Sequence, residues 1–222
     1  MRKLVVAVDG PAASGKSTVG KALAARLGYL YIDTGALYRA VAWLADREGN
    51  ADAPGPTLGA AVRGADIRLL GDPDHPRVLV EGQDVSREIR TERISQLSTK
   101  LSALPEVRGA LLDLQRRLGA DGGVVMDGRD IGTVIFPGAD AKFFIFASPE
   151  VRARRRHAEL LAKGIGSDPD LVRAELEARD RRDAEREHAP LKTADDALAI
   201  DTTNLDPEAV VARMLAVVES RQ

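Results

Sequence analysis

Five apolar residues, Leu4-Val5-Val6-Ala7-Val8, lead through Asp9 into Gly10-Pro11-Ala12-Ala13-Ser14-Gly15-Lys16-Ser17. No other segment limits the possible folds so tightly. The β-branched run reads as a strand buried on both faces, as in a parallel sheet. After the glycine-rich segment, Val19, Leu23, Ala24 and Leu27 recur at helical spacing, and Gly28 closes the helix. The residues between fit G-x-x-x-x-G-K-[ST] in its required setting, after a strand and before a helix. Its glycines let backbone N–H groups turn inward around a phosphate, and the helix start adds positive charge. Residues Gly10, Pro11, Ala12, Ala13, Ser14, Gly15, Lys16, Ser17 and Thr18 are therefore expected around the phosphates of a nucleoside triphosphate. Lys16 should reach the β and γ phosphates, and Ser17 should ligate Mg²⁺ directly.

The rest of the chain alternates in the same style. Short strands are expected at 29–32, 124–126, 142–147 and 197–201, and helices at 36–47, about 91–118 with a break at Pro105, 149–163 and 169–187. Residues 50–56 hold Asn, Asp, two Pro and Gly and read as a loop. Asp206-Pro207 should open a terminal helix as N-cap and first turn. Alternating strands and helices imply an α/β fold, with a parallel sheet wrapped by right-handed crossovers. The segments 65–71 and 77–80 flank Asp72-Pro73-Asp74-His75-Pro76 and break that rhythm as an antiparallel hairpin standing off the sheet.

Composition narrows the function. The chain has 222 residues, 44% hydrophobic and 30% charged, so a folded core is available and wholesale disorder is excluded. There is no cysteine, which agrees with a reducing compartment, and no apolar run approaches membrane-spanning length. No signal peptide is read at the N-terminus, so a cytoplasmic location is expected. Net charge is −2, so no general nucleic-acid surface is indicated. Yet 25 of the 32 basic residues are Arg, whose planar fork grips phosphate; codon bias is the bland explanation. A guanine-reading N-K-x-D string is missing: Asn204-Leu205-Asp206 lacks the Lys. A small kinase remains, its second substrate named by other residues.

Two strand ends carry charged strings. The first is Asp33-Thr34-Gly35-Ala36-Leu37-Tyr38-Arg39, with Thr34 as the expected helix cap. The second is Val124-Val125-Met126-Asp127-Gly128-Arg129-Asp130, where Asp127 can hold Mg²⁺ through water. Strand ends in such sheets face the ligand crevice.

Together with the phosphate loop, DTGALYR (33–39), EIRT (88–91), Val107-Arg108, DGRDIGTVIFP (127–137), RDRRD (179–183) and APL (189–191) resemble the bacterial cytidylate kinase family. They occur in that family's order and spacing, and the resemblance runs from about residue 3 to the C-terminus. It implies a P-loop kinase three-layer sandwich with a five-stranded parallel sheet in the order 2-3-1-4-5. It also implies one kinase domain: a core of 1–49, 103–150 and 189–222, an acceptor-binding insertion at about 50–102, and a helical lid at about 151–188. The implied reaction is phosphoryl transfer from ATP, with Mg²⁺, to CMP and dCMP, by a monomer without nucleic-acid or membrane partners.

The resemblance also assigns residues. Thr99, Arg108 and Asp130 fall where the acceptor base is bound, although Ser98 could replace Thr99. The chemistry suits cytosine: its 4-amino group donates to a carboxylate, and its O2 and N3 accept from Arg. Uracil's 4-carbonyl would face Asp130 acceptor to acceptor. Arg39, Arg129 and Arg186 correspond to a clamp on the acceptor phosphate, helped by Asp33, Thr34 and Tyr38. Arg179 and Asp183 correspond to ribose contacts. Arg152 and Arg156 are the lid residues expected over the transferring phosphoryl group, so the catalytic set is Lys16, Arg129, Arg152, Arg156 and Arg186. No general base is needed, because the acceptor oxygen is already anionic; His75, His157 and His188 read as surface residues. The remaining alternatives are a kinase for UMP or shikimate and a non-catalytic nucleotide- or RNA-binding protein.

Overall fold

The computed structural model describes residues 2–70 and 75–221. Strand β1 (Val5–Asp9) is central, with helix α1 (Lys16–Leu27) behind the glycine-rich turn. Gly28 ends α1 in the left-handed conformation, φ 64°, as its sequence position requires. β2 (Leu30–Asp33) and α2 (Thr34–Arg47) follow. The cap of α2 is Asp33, not Thr34: the Asp33 carboxylate accepts from the Ala36 N–H at 3.0 Å. Thr34 is the first helical residue, and its hydroxyl donates to the Asp127 carbonyl at 2.8 Å. Both residue types cap well, and the distant carbonyl decides between them.

A helix not expected from the sequence, α3 (Gly55–Gly64), precedes β3 (Ile67–Leu70), β4 (Arg77–Val80) and β5 (Gln83–Asp84). These three strands form a separate antiparallel sheet, one strand more than the expected hairpin. The Asp72-Pro73-Asp74 turn lies outside the described residues. Then come α4 (Glu92–Leu101), α5 (Pro105–Gly119), β6 (Val124–Gly128), β7 (Ala141–Phe146), α6 (Pro149–Ala162), α7 (Pro169–Ala184), β8 (Leu198–Asp201) and α8 (Pro207–Glu219). Asp206 caps α8 through the Ala209 N–H at 2.8 Å, with Pro207 in the first turn.

The main sheet is parallel in the order β2-β6-β1-β7-β8, which is 2-3-1-4-5 when its own members are counted in chain order. Helices α1 and α8 cover one face around Leu23, Phe143, Ile145 and Met214. A second core holds α2, α3, α4 and α5 against the small sheet through Leu37, Val80, Ile89 and Leu111. Val172 and Leu176 of α7 and Ala153 of α6 pack on Ala12, which ties the helical pair to the phosphate loop.

The loop leaves β1 through Gly10 at φ 152°, and a Cβ there would lie 2.0 Å from the Ile145 carbonyl oxygen of β7. Only glycine lets the two backbones approach this closely. Gly10→Ala is expected to cost roughly 3 kcal/mol through overpacking and strain. Thermal unfolding should then fall by about 6–12 °C. A melting temperature within about 2 °C of the parent would show that β7 moves aside freely.

Candidate active site

The carboxyl ends of β1, β2 and β6 open into one cleft of about 710 Å³. This is the crevice where open α/β sheets bind ligands. One end is built by residues 12–18, all of which line it. Gly10 and Pro11 stand just behind: their carbonyls accept from Arg129 at 2.9 Å and from Lys16 Nζ at 3.2 Å. Gly15 adopts φ 92° as the N-cap of α1 and leaves that helix start without a side-chain cap. The residues of that helix start line the cleft, and the uncapped N–H groups of a helix start suit an anion.

Lys16 is buried, and its ammonium is pushed down to about 7, first by burial and then by the nearby Arg129 charge. A buried cation of this kind is poised for an anionic partner. Ser17 Oγ donates to Asp127 Oδ2 at 2.6 Å. Burial pushes Asp127 up to about 6, with Asp33 adding to the rise and Lys16 opposing it. The buried Tyr31 hydroxyl stands beside Ser17 and Asp127 and interacts with both. Ser17 and Asp127 thus offer hard oxygen donors beside the phosphate loop. Among the described residues no group of three or more His, Cys, Asp or Glu could hold a metal alone. That donor set fits Mg²⁺, which is bound by one or two protein oxygens together with substrate phosphates.

The other end of the cleft gathers the charged strings. Asp33 Oδ2 accepts from Arg39 at 2.8 Å. Burial raises the Asp33 carboxyl, but Arg39 and the Ala36 N–H more than offset it and hold it below the usual range. Arg129 donates to Asp183 at 2.8 Å, and Arg186 also pairs with Asp183. Asp183 is thereby kept low despite its burial. Arg179, expected beside Asp183, feels its charge but is not hydrogen-bonded to it; among the described residues neither its buried Nε nor that of Arg39 has a hydrogen-bond partner. Burial, then the Arg129 charge, pushes Arg179 down to about 10. Two half-buried guanidiniums whose buried Nε donors are open suit an anion.

Farther along, Arg108 pairs with Asp130, both side chains nearly buried, and stands 5.8 Å from the Tyr38 ring centroid. Burial raises Asp130, against Arg108 and Arg186. Asp9 fixes the turn that presents these groups: its carboxylate accepts from the Ile131 and Gly132 N–H groups at 2.9 and 2.8 Å. Thr99 and Ser98 both line the cleft, and both hydroxyls donate to the Ser95 carbonyl, at 3.0 and 2.8 Å.

The helical pair α6–α7 roofs the cleft and brings one correction. Arg152, expected over the phosphates, does not line the cleft. It is 6% exposed and bound to the Ala147 and Ala12 carbonyls and to Asp180. It clamps the roof to the loop. Arg156 does line the cleft, paired with Glu159 at 3.0 Å. Arg155, three residues beyond Arg152 in the same Arg-rich run, also lines it and donates to the Ser14 carbonyl at 3.3 Å and Thr202 Oγ1 at 3.0 Å. At i, i+3 and i+4 on one helix these arginines share a face, so neither the sequence nor the helix separates them; their tertiary partners do. His157 pairs with Ser167 at 2.7 Å outside the cleft.

The cytidylate kinase family model matches residues 6–220. A curated cytidylate kinase of Geobacter sp. strain M21 is 51% identical over 98% of this chain and 94% of its own length. One from Syntrophotalea carbinolica is 49% identical over 100% of this chain and 94% of its own. Among solved structures, an uncharacterized protein from Eubacterium ventriosum is similar in fold, with TM-score 0.52 at 12% identity over 99% of this chain and 100% of that one. With a match from end to end, at about half identity, and one cleft that joins a phosphate loop to a cluster of open guanidiniums, the chain belongs to the cytidylate kinase family.

Proposed function

We propose that this chain transfers the γ-phosphoryl group of ATP to the phosphate of CMP or dCMP, giving ADP and CDP or dCDP. One observation carries the reading: Lys16 of the phosphate loop, Arg39 and Arg179 with open Nε donors, and the Arg108–Asp130 pair all line a single cleft. The acceptor phosphate oxygen attacks the γ-phosphorus as the bond to the β,γ-bridging oxygen breaks. The electron pair leaves with ADP, so no side chain must take a proton. The protein's part is alignment and charge neutralisation.

Residues 10–18 hold the triphosphate, with Lys16 at the β and γ phosphates. Ser17 and Asp127 would hold Mg²⁺, which when bound would neutralise phosphate charge. Arg39, Arg129 and Arg186 grip the acceptor phosphate with Asp33, Thr34 and Tyr38 around them. Arg179 and Asp183 meet the ribose. Arg108, Asp130 and a hydroxyl from Thr99 or Ser98 read the base. Arg156 is the roof residue assigned to the transferring phosphoryl group, and Arg155 braces the loop through the Ser14 carbonyl.

In the same reading residues 50–102 are an acceptor-binding insertion, 151–188 a lid, and the enzyme a cytoplasmic monomer. Among the described residues no helix is long and apolar enough to cross a membrane. The test is ADP release with ATP and Mg²⁺, offering CMP, dCMP, UMP, AMP, GMP and shikimate in parallel. Turnover with CMP and dCMP far above the others is expected. Equal turnover with UMP would overturn the base reading, and none with any acceptor would overturn the kinase.

A further inference from the structure

A second cavity, of about 420 Å³, opens on the far side of the Arg108–Asp130 pair. The two cavities share Tyr38, Arg108 and Asp130, so this pair is a partition rather than a back wall. One wall is a single face of α5: Pro105, Arg108, Leu112 and Gln115 recur at helical spacing. Val134 and Ile135 make the apolar floor, and Glu187, His188 and Ala189 form the opposite side.

Three features of this cavity leave room, an open polar atom or strain. Gly109 sits inside α5 at its rim, and nothing lies within 4 Å of where its Cβ would be. Glycine weakens a helix relative to alanine, and here no close neighbour requires it. Gln115 is 1% exposed; its amide interacts with Tyr38 and its Nε2 donates to the Leu111 carbonyl, but among the described residues its Oε1 has no hydrogen-bond partner. A buried amide oxygen left open calls for a donor. Ala189 holds φ 53°, a left-handed backbone that costs energy in a residue with a side chain. Backbone strain of this kind gathers at ligand sites.

We propose that this cavity is a binding subsite for a substituent on the acceptor base, so that the chain also phosphorylates cytidine monophosphates extended at the 4-amino nitrogen or the adjacent C5. The proposal rests on the CMP kinase reading. With the base read by Arg108 and Asp130, its 4-amino edge faces the partition. A singly substituted amine keeps one N–H for Asp130 and sends its substituent past that residue. Leu112, Val134 and Ile135 would cover an apolar group, and Gln115 Oε1 would accept from a donor on it.

The test uses CMP, CMP benzylated on the 4-amino nitrogen, and CMP benzylated at C5, each assayed with ATP and Mg²⁺. The wild-type chain is expected to use at least one extended acceptor with kcat/KM within about tenfold of CMP. Gly109→Leu, which fills open space and replaces glycine with a better helix former, should lower that value at least about 50-fold and leave CMP unchanged. A circular dichroism melt verifies its folding, and Val134→Phe fills the same space from the floor if that helix yields. Exclusion of both extended nucleotides from a chain that turns over CMP would overturn the subsite. So would equal use of them by the wild-type and filled chains. Absence of CMP turnover would instead overturn the parent reading, and the subsite with it.

Discussion

Lys16→Met is expected to leave a folded protein whose kcat is lower by about 1000-fold, roughly 4 kcal/mol of transition-state stabilisation. In the free chain the Lys16 ammonium sits in the fold at a cost. It is buried and close to Arg129, a cost that Asp127 and Asp33 offset only in part, and among the described residues it is hydrogen-bonded only to the Pro11 carbonyl, at 3.2 Å. Replacing an expensive buried charge with an apolar chain of similar length is neutral or stabilising in such settings. Methionine therefore separates chemistry from folding: the melting temperature should hold or rise while turnover collapses. A triphosphate would supply the charge that makes Lys16 favourable, and Lys16 would supply the charge that the migrating phosphoryl group requires. Thermal melts and single-turnover phosphoryl transfer on the same preparation decide it. Activity within tenfold of the parent would remove Lys16 from the chemistry.

What the sequence could convey depended on how local each cause is. The loop, its strand and its helix are one contiguous segment whose residues answer mainly to each other, and they sit where the pattern predicts. The strand ends at Asp33 and Asp127 were legible for the same reason: acidic residues closing apolar runs face the crevice of a parallel sheet. Helix α3 was not. Residues 50–56 read as a loop and 57–64 carry no predicted element, yet a Cβ at Gly59 would lie 2.9 Å from the Glu106 Cβ. That glycine lets α3 close on α5, a reason that belongs to another element. The turn of π-helical pitch at Ile131–Ile135 is held by Asp9 across 122 and 123 residues of chain, and no local pattern announces it. Arg152 and Arg156 are chemically alike and four apart; one became a clamp because Asp180 and two carbonyls surround it, and the other stayed in the cleft. Residue type was readable, but the direction of each guanidinium was set by tertiary neighbours.

Asp130→Asn is expected to lower kcat/KM for CMP by about 100-fold and to raise UMP relative to CMP by about 1000-fold. Asp130 accepts on both oxygens, so it suits the cytosine 4-amino group and repels the 4-carbonyl of uracil. Asparagine keeps one acceptor and gains an N–H, which can turn toward that carbonyl. The substitution also leaves Arg108 without its anionic partner in a nearly buried position, and breaking such a pair costs about 3 kcal/mol of stability. Part of the loss with CMP would then come from unfolded chain. The CMP to UMP ratio is immune to this, because both substrates see the same folded fraction. Measuring the two acceptors in competition, in one tube, makes the ratio the readout. An unchanged ratio would mean that Asp130 only braces Arg108 and that the base is read elsewhere in the cleft. A collapsed ratio with dCMP still tracking CMP would assign Asp130 to the base and leave the sugar to Asp183 and Arg179.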